Sequence, residues 1–349
     1  MKSALLFLGA GLTAGALHAE PAGENGSLTF YLDNDLFAGS DDGYTNGARI
    51  SWNSGSRPVE ELRGVHRYLR YLIGDESSFT PFQRLSGFED ASDISYNHGF
   101  ALTQQMFTPD DPLPYAPIPG QRPYAGVLLL GFSLHAMDEN VLNSVGISAG
   151  VVGPHAYAEE TQDFIHSILG ENKFNGWDNQ VPDEFLLNLH LEQKRRLPFL
   201  DHRRGSLGMD GFTETAIDLG NYLTAAKVGT IVRFGYNLPL EFSDPRLSPD
   251  AYSHKLFRSD RVMNSPWSLY AMLGASGSAI AHDVTLDGPW FRSYSSGVDR
   301  EPFVGEVFAG FGVRYECWDF SYVHTFRSKA YETQDETTSF GSLAIRRSF

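Results

Sequence analysis

The chain has 349 residues and a formal net charge of -16, which argues against a nucleic-acid partner, since that would need a basic face. Its single cysteine, Cys317, excludes an intramolecular disulfide, and 35 glycines with 16 tyrosines suit a turn-rich all-β protein better than a helical enzyme. Met1-Lys2-Ser3 is a short basic start, followed by small and apolar residues from Ala4 to Leu17. With cleavage after Ala16 or Ala19, residues 1–19 read as a secretory signal peptide that is too short for a membrane span. Residues 20–349 are then one domain. No later stretch is apolar for long enough to cross a membrane as a helix. An exported chain of this kind is periplasmic, secreted or a membrane β-barrel.

Period-two alternation recurs along the whole of the remaining chain. Leu28, Phe30 and Leu32 alternate with Ser27, Thr29 and Tyr31; Ala48, Ile50 and Trp52 alternate with Arg49, Ser51 and Asn53. Further strands are expected over Ser95–Phe107, Tyr124–Met137, Val141–Val152, Glu184–Arg195, Thr213–Leu223, Lys227–Tyr236, Trp267–Ile280, Phe303–Val313, Trp318–Phe326 and Ser339–Phe349. The total is about twelve, with lengths near the ~10 residues that a tilted strand needs to cross a bilayer. In Tyr124–Met137 one face holds Leu128, Leu130, Phe132 and Leu134. In Glu184–Arg195 the apolar row Phe185, Leu187, Leu189 and Leu191 opposes Asn188, His190, Glu192 and Lys194. Charges on the second face are costly in a dry sandwich core and ordinary in a barrel lumen. The tryptophans and tyrosines suit interface girdles, and the chain ends in a strand on Phe349. The reading is therefore all-β: an antiparallel up-and-down transmembrane β-barrel of about twelve strands. Val59–Ile73 and Ala156–Leu169 place their apolar residues at helical spacing and are expected as helices in the connections. Leu238–Pro266 reads as a long irregular connection.

With both termini at the periplasmic end, alternate connections, including Asn34–Thr45, Thr108–Gln121 and Gly153–Asp183, share the outer rim. The first lies within Asp33–Gly47, which carries Asp33, Asp35, Asp41 and Asp42 with three glycines, an oxygen-rich stretch that suits calcium as well as it suits an ordinary polar hairpin. The third carries Thr161-Gln162-Asp163-Phe164-Ile165-His166, in which Gln162 and His166, four apart, share a helix face. His is the usual general base near neutral pH, and a neighbouring Gln can fix its tautomer or orient a water. A solvated helix histidine gives the same pattern. His155 and His166 lack the spacing of a His-Glu-x-x-His zinc site. His135 and His190 are expected as polar lumen residues. Arg122 fits either bidentate phosphate recognition or a rim salt bridge. Gln104 and Gln105 end the third strand at the same rim, and Tyr124 is a girdle residue or a substrate contact.

Asn34-Asp35-Leu36-Phe37, Tyr44-Thr45-Asn46-Gly47, Phe107-Thr108-Pro109-Asp110-Asp111, Arg122-Pro123-Tyr124-Ala125-Gly126, Val152-Gly153-Pro154 and Thr161–His166 together resemble the LpxR-type lipid A 3′-O-deacylases. The resemblance runs in order through most of the chain. It implies a twelve-stranded outer-membrane barrel and a calcium-dependent esterase that removes the 3′-linked acyloxyacyl group of lipid A. The implied site lies at the outer end, facing the cell exterior, between barrel and membrane. The resemblance puts the general base at His166, supported by Gln162, and Asn34, Asp35 and Thr45 match other functional positions. Asp35 is the expected calcium ligand. Arg122, Gln105 and Tyr124 are assigned to substrate binding. A family lysine on the third strand has no obvious counterpart here, where Gln104 and Gln105 stand nearby. The implied partners are lipopolysaccharide and outer-membrane lipid, with no obligatory protein partner. Two rivals remain: an outer-membrane phospholipase of nearly identical chemistry, and a channel or structural barrel without activity.

Overall fold

The computed structural model describes residues 26–34, 46–58, 87–88, 94–170, 172–242, 244–246 and 265–349. Twelve long strands make up the fold: β1 (Gly26–Asn34), β2 (Asn46–Ser54), β3 (Ser95–Phe107), β4 (Ala125–Met137), β5 (Val141–Val152), β6 (Glu184–Arg196), β7 (Leu207–Gly220), β8 (Leu223–Tyr236), β9 (Trp267–Asp283), β10 (Phe303–Tyr315), β11 (Trp318–Arg327) and β12 (Thr338–Ser348). Each pairs antiparallel with its neighbours in sequence, and β1 pairs with β12 from Ser27↔Ser348 to Asn34↔Gly341, which closes the barrel. Two short segments, Arg57–Pro58 on β3 and His202–Arg204 on β7, extend the pairing locally.

The alternation read in the sequence is the alternation of the wall. Leu28, Phe30, Ile50, Leu102, Leu130, Leu189, Leu219, Val228 and Leu273 point outward and are exposed. Two bands of exposed aromatics flank this apolar surface. Tyr236, Trp267, Tyr315, Trp318 and Phe349 lie at the end that holds the termini, and Phe185, Trp290, Phe291, Phe303 and Phe326 at the opposite, loop end. An apolar belt between aromatic girdles is the surface that a bilayer requires. Leu134 departs from the lipid-facing expectation. It points outward but is buried against Ile94, Tyr96 and Ala136, with Phe88 beside it, so the chain entering β3 covers it. The strand expected over Thr213–Leu223 is also corrected. β7 starts earlier and ends at Gly220, and Asn221-Tyr222 form a tight hairpin turn into β8. The expected signal peptide and the expected Val59–Ile73 helix lie outside the described residues.

Inside, the lumen is packed. Residues 238–242 and 244–246, in the connection from β8 to β9, put Leu238 and Phe242 into a core with Phe212, Ile231, Tyr270 and Phe308, and Leu240 is buried beside them in sequence. Their charged members are matched one by one. Glu241 accepts from Arg314 at 2.6 Å and Arg346 at 3.0 Å, while Arg246 donates to Asp244 at 2.6 Å and to Glu306 at 2.9 Å. Asp210, fully buried, receives Arg196 at 2.6 Å and both Nε and Nη2 of Arg233 at 2.9 and 2.7 Å. His190 and Asp218, facing each other across β6 and β7, are 3.0 Å apart. Toward the loop end a second apolar cluster of Phe107, Val127, Leu129, Val181, Leu186, Tyr222, Val284 and Phe340 fills the bore. These charges are thus matched by side chains from across the barrel, and the described lumen is a core rather than a pore.

Removing one member of a buried charge group leaves its partners uncompensated. Asp210→Ala strands Arg196 and Arg233 together, and is expected to cost ~3–5 kcal/mol of barrel stability. Urea unfolding of the refolded protein, followed by tryptophan fluorescence, measures this; a variant as stable as wild type would show that the arginines find other partners.

Candidate active site

Register decides which rim residues can meet. Asn34 lies directly opposite Asn46 across β1 and β2, Asn46 opposite Met106 across β2 and β3, and Met106 opposite Gly126 across β3 and β4. Cross-strand partners share a face, and parity with Leu28, Ile50, Leu102 and Leu130 puts all four on the barrel exterior. The connection from β5 to β6 folds onto this row. Its helix α1 (Ala158–Leu169) lands where Gly126 has no side chain, since a Cβ there would come 2.6 Å from the Ala158 Cβ. The Gly153 amide, at φ +106, donates to the Gly126 carbonyl at 2.8 Å. Gln104 Nε2, on the same exterior face, donates to the carbonyls of Ala156 at 2.7 Å and Tyr157 at 3.2 Å just before the helix. Glu159 and Glu160 occupy the first turn, where carboxylates complement the helix dipole, and Gly170 in the left-handed region ends it.

The inner face of α1 carries Gln162 and His166; the opposite face exposes Phe164 and Ile168. Gln162 is buried, and its Oε1 accepts from Trp177 Nε1 at 2.7 Å. Its Nε2 is buried without a hydrogen-bond partner among the described residues. Trp177 packs 4.9 Å from the ring of Tyr124, whose hydroxyl donates to the Pro112 carbonyl at 2.6 Å. Gly176 is obligatory beside them, because any side chain would overlap the Tyr124 ring. Burial pushes the Tyr124 hydroxyl up to about 12, so it stays a neutral donor. His166 is half-buried, edge-on to Phe174 at 4.8 Å, with Nδ1 2.6 Å from the Asn172 carbonyl. A carbonyl only accepts, so Nδ1 carries the proton in the neutral ring and Nε2 is left as the basic nitrogen.

The remaining site candidates divide between the two faces. Asn34 ends β1 on the exterior, two strands from the β3 residue under α1, roughly 10 Å at ordinary strand spacing. Asp35 and Thr45 lie outside the described residues. Gln105 points into the barrel and accepts from the Tyr222 hydroxyl at 2.6 Å; Gln104 is the member of that pair facing α1. Arg122 is also on the lumen side, with its guanidinium 4.3 Å over the Phe107 ring and Nη2 donating to Thr285 at 3.0 Å. Burial pushes it down to about 10. The wall therefore separates Gln105 and Arg122 from the helix that carries Gln162 and His166.

The residue that sequence reasoning passed over is Asn46. Its Oδ1 is buried with no hydrogen-bond partner among the described residues, beside Asn34 on the exterior row. Its place in Tyr44-Thr45-Asn46-Gly47 was the available signal. Gly146-Ile147-Ser148-Ala149-Gly150 also spells the spacing of a serine-hydrolase elbow, which requires a sharp strand-to-helix turn. Here the run is regular mid-strand β5 with Ser148 buried on the lumen side, so the elbow is absent. Among the described residues no three His, Cys, Asp or Glu side chains form a metal cluster.

A closed twelve-stranded barrel, with an apolar belt, aromatic girdles and a polar helix face docked on the outside of its wall, defines an outer-membrane β-barrel of unusual exterior architecture. A family model described as outer membrane protein LpxR matches residues 4–349, and the chain belongs to that family. Among solved structures, LpxR from Salmonella typhimurium superposes with a TM-score of 0.71 at 17% identity, covering 93% of this chain and 100% of that one. The β domain of the Bordetella autotransporter BrkA is more distant, with a TM-score of 0.43 at 10% identity, covering 93% of this chain and 100% of that chain. No curated protein matches the chain.

The entry to α1 is pinned by Asp183, which accepts from the His155 amide at 3.0 Å and faces His155 Nδ1 at 2.7 Å. Burial opposes the Asp183 carboxylate, but these two His155 contacts outweigh it and hold the group below the usual carboxylate range. A depressed carboxyl contributes stability above its unfolded value, about 3.9, which is lost as pH falls through the folded value. Protease protection of the 153–183 connection should therefore persist at neutral pH and fall below about pH 4. Asp183→Asn should show the loosening already at neutral pH; identical protection of both proteins at every pH would remove the pin.

Proposed function

We propose that this protein is a calcium-dependent esterase that removes the 3′-linked acyloxyacyl group of lipid A in the outer leaflet. The family is one of lipid A-modifying outer-membrane proteins. The observation that carries the reading is the exterior docking of α1, which presents Gln162 and His166 toward the wall where an outer-leaflet lipid would lie. An enzyme acting on a lipid in place needs its base at the lipid–protein boundary, not in the bore. The filled lumen disfavours the channel reading for the same reason.

In this mechanism His166 Nε2 takes the proton from a water that attacks the ester carbonyl, while Nδ1–H holds the ring through Asn172. Gln162, fixed through Trp177, offers its unpartnered Nε2 as a donor to that water or to the carbonyl. Trp177, Phe174 and Met106 keep bulk water from the inner face of the helix. The rim donors fit a hard cation, because Asn34 and the orphaned Asn46 oxygen stand side by side and the adjacent loop is rich in carboxylates, Asp35 among them. Asn34, Asp35, Asn46 and Thr45 are the residues that would hold calcium, which when bound polarises the ester carbonyl and stabilises negative charge on its oxygen.

His166→Ala is expected to fold and to lose ~10²–10⁴-fold in deacylation rate, the usual contribution of a general base. Asn34→Ala should be similarly inactive, and the double variant little worse, since groups acting as a unit are non-additive. Mass spectrometry of lipid A and of glycerophospholipids after incubation with the purified protein reads the result and separates the deacylase from a phospholipase. A His166→Ala rate within about tenfold of wild type would place the base elsewhere. Exhaustive chelation should abolish turnover and added calcium restore it; full activity after chelation would end the metal assignment.

A further inference from the structure

A groove of about 440 Å³ opens on the barrel exterior over β5 and β6, lined by Val151, Asp183, Glu184, Phe185, Phe291 and Arg292. None of these residues takes part in the reaction described above. The groove is built by one buried carboxylate. Glu184 accepts from the backbone amides of Trp290 at 3.0 Å and Phe291 at 2.7 Å, and from Asn221 Nδ2 at 3.0 Å. This clamps the connection between β9 and β10 against the start of β6. Phe291 is consequently 79% exposed and Phe185 65% exposed, on a face that continues down the wall as Leu187 and Leu189. The lower end of the groove thus merges with the lipid-facing surface, and its upper rim carries Arg292.

Arg292 is exposed and has no hydrogen bond or ion pair among the described residues. Asp183, close enough to feel its charge, is already engaged by His155. An uncommitted guanidinium lining the same groove as two exposed aromatic rings, in a chain of net charge -16, is placed for an anion that arrives attached to an apolar body. Guanidinium and phosphate match in geometry, with two parallel N–H···O bonds.

We propose that this groove is a subsite for a phosphorylated lipid of the outer leaflet, with Arg292 taking a phosphate and Phe185 and Phe291 flanking the attached acyl chains. The proposal rests on the deacylase reading only in naming lipid A as that lipid. The link to the site is short: Asp183 holds His155 by hydrogen bonds, and the chain from His155 to His166 rises roughly 15 Å at helical spacing. The phosphate bound at Arg292 and the ester presented to His166 would therefore belong to different parts of one lipid.

The test uses the full-length protein refolded in detergent. Affinities for bisphosphorylated and fully dephosphorylated lipid A are measured in a His166→Ala background, which prevents turnover. Adding Arg292→Ala should weaken the phosphorylated lipid by about tenfold or more, the loss of a charge-assisted contact, and leave the dephosphorylated one unchanged. Arg292→Lys should recover part of the loss, because it keeps a point charge without the fork. Equal affinities with and without Arg292 would overturn the subsite, and so would displacement of the lipid by inorganic phosphate alone, which would indicate a simple anion site. With His166 intact, Arg292→Ala should raise KM and leave kcat unchanged. Phosphate-dependent binding through Arg292 in a protein that deacylates nothing would retain the subsite and sink the deacylase reading. Deacylation with a KM indifferent to Arg292 would do the reverse.

Discussion

Closure of β1 on β12 is the constraint on which the rest depends. In hydrocarbon every backbone donor and acceptor must find a partner within the protein, and among sheets only one without edges provides that. The pairing of Ser27 through Asn34 with Gly341 through Ser348 supplies the last seam, and Phe349 extends it by donating its amide to Gly26. Once the wall is closed, each residue has one of two fates set by parity. It meets lipid, or it meets the side chains of the opposite wall.

That division explains why charge is concentrated where it is. The inward face carries Arg49, Arg196, Arg233, Asp210, Glu214 and Lys194, all nearly inaccessible. Arg49 meets Thr103, Arg196 and Arg233 meet Asp210, and Glu214 meets Lys227 and the inserted Arg246, while Lys194 faces Glu192 of its own strand and the Phe212 ring of the next. Replacement by apolar residues would be tolerated energetically in many such settings, so ion pairing here is better understood as matching than as net stabilisation. It selects the segment that can enter the bore, because Glu241, Asp244 and Arg246 fit only where Arg314, Arg346 and Glu306 stand. A sheet that closes and fills in this way leaves the rim opposite the termini as the place where the chain is free to build a site.

The rim site is built by subtraction as much as by addition. Gly126 and Gly176 clear the space into which Ala158 and Tyr124 fit, and Gly153 turns the chain so that α1 lies on the outside of the wall. With the helix lodged there, its polar face is sequestered by Trp177, Phe174 and Met106, and its apolar residues Phe164 and Ile168 are turned toward lipid. The same connection ends in Asp183-Glu184, two adjacent carboxylates with opposite directions of reach. Asp183 secures the approach to α1 and Glu184 secures the loop bearing Trp290 and Phe291. Two connections at the loop end that are far apart in sequence are thereby fixed to one point of the wall.

The strands, their number and their inward and outward faces were legible in the sequence, because a side chain alternates with period two whatever its neighbours do. The apolar rows of β1, β4 and β6 and the rim position of Asn34 follow from that local rule alone, and the motif around Gln162 and His166 is local as well, since four residues along a helix always share a face. What only the tertiary structure decided was contact between elements. Nothing local says that Leu134 is covered by the chain entering β3, or that residues 238–242 and 244–246 enter the bore. Gln104 and Gln105 are neighbours in sequence, yet the pleat sends one to α1 and the other to Tyr222, and which of them meets the helix depends on the side of the wall on which α1 docks. Arg122, sited at the rim by its position in the chain, is turned inward over Phe107, so its burial and its partners depend on strands that the sequence does not bring near it. Periodicity is a property of one segment, whereas register, docking and burial are properties of pairs of segments, and only the closed barrel assigns those pairs.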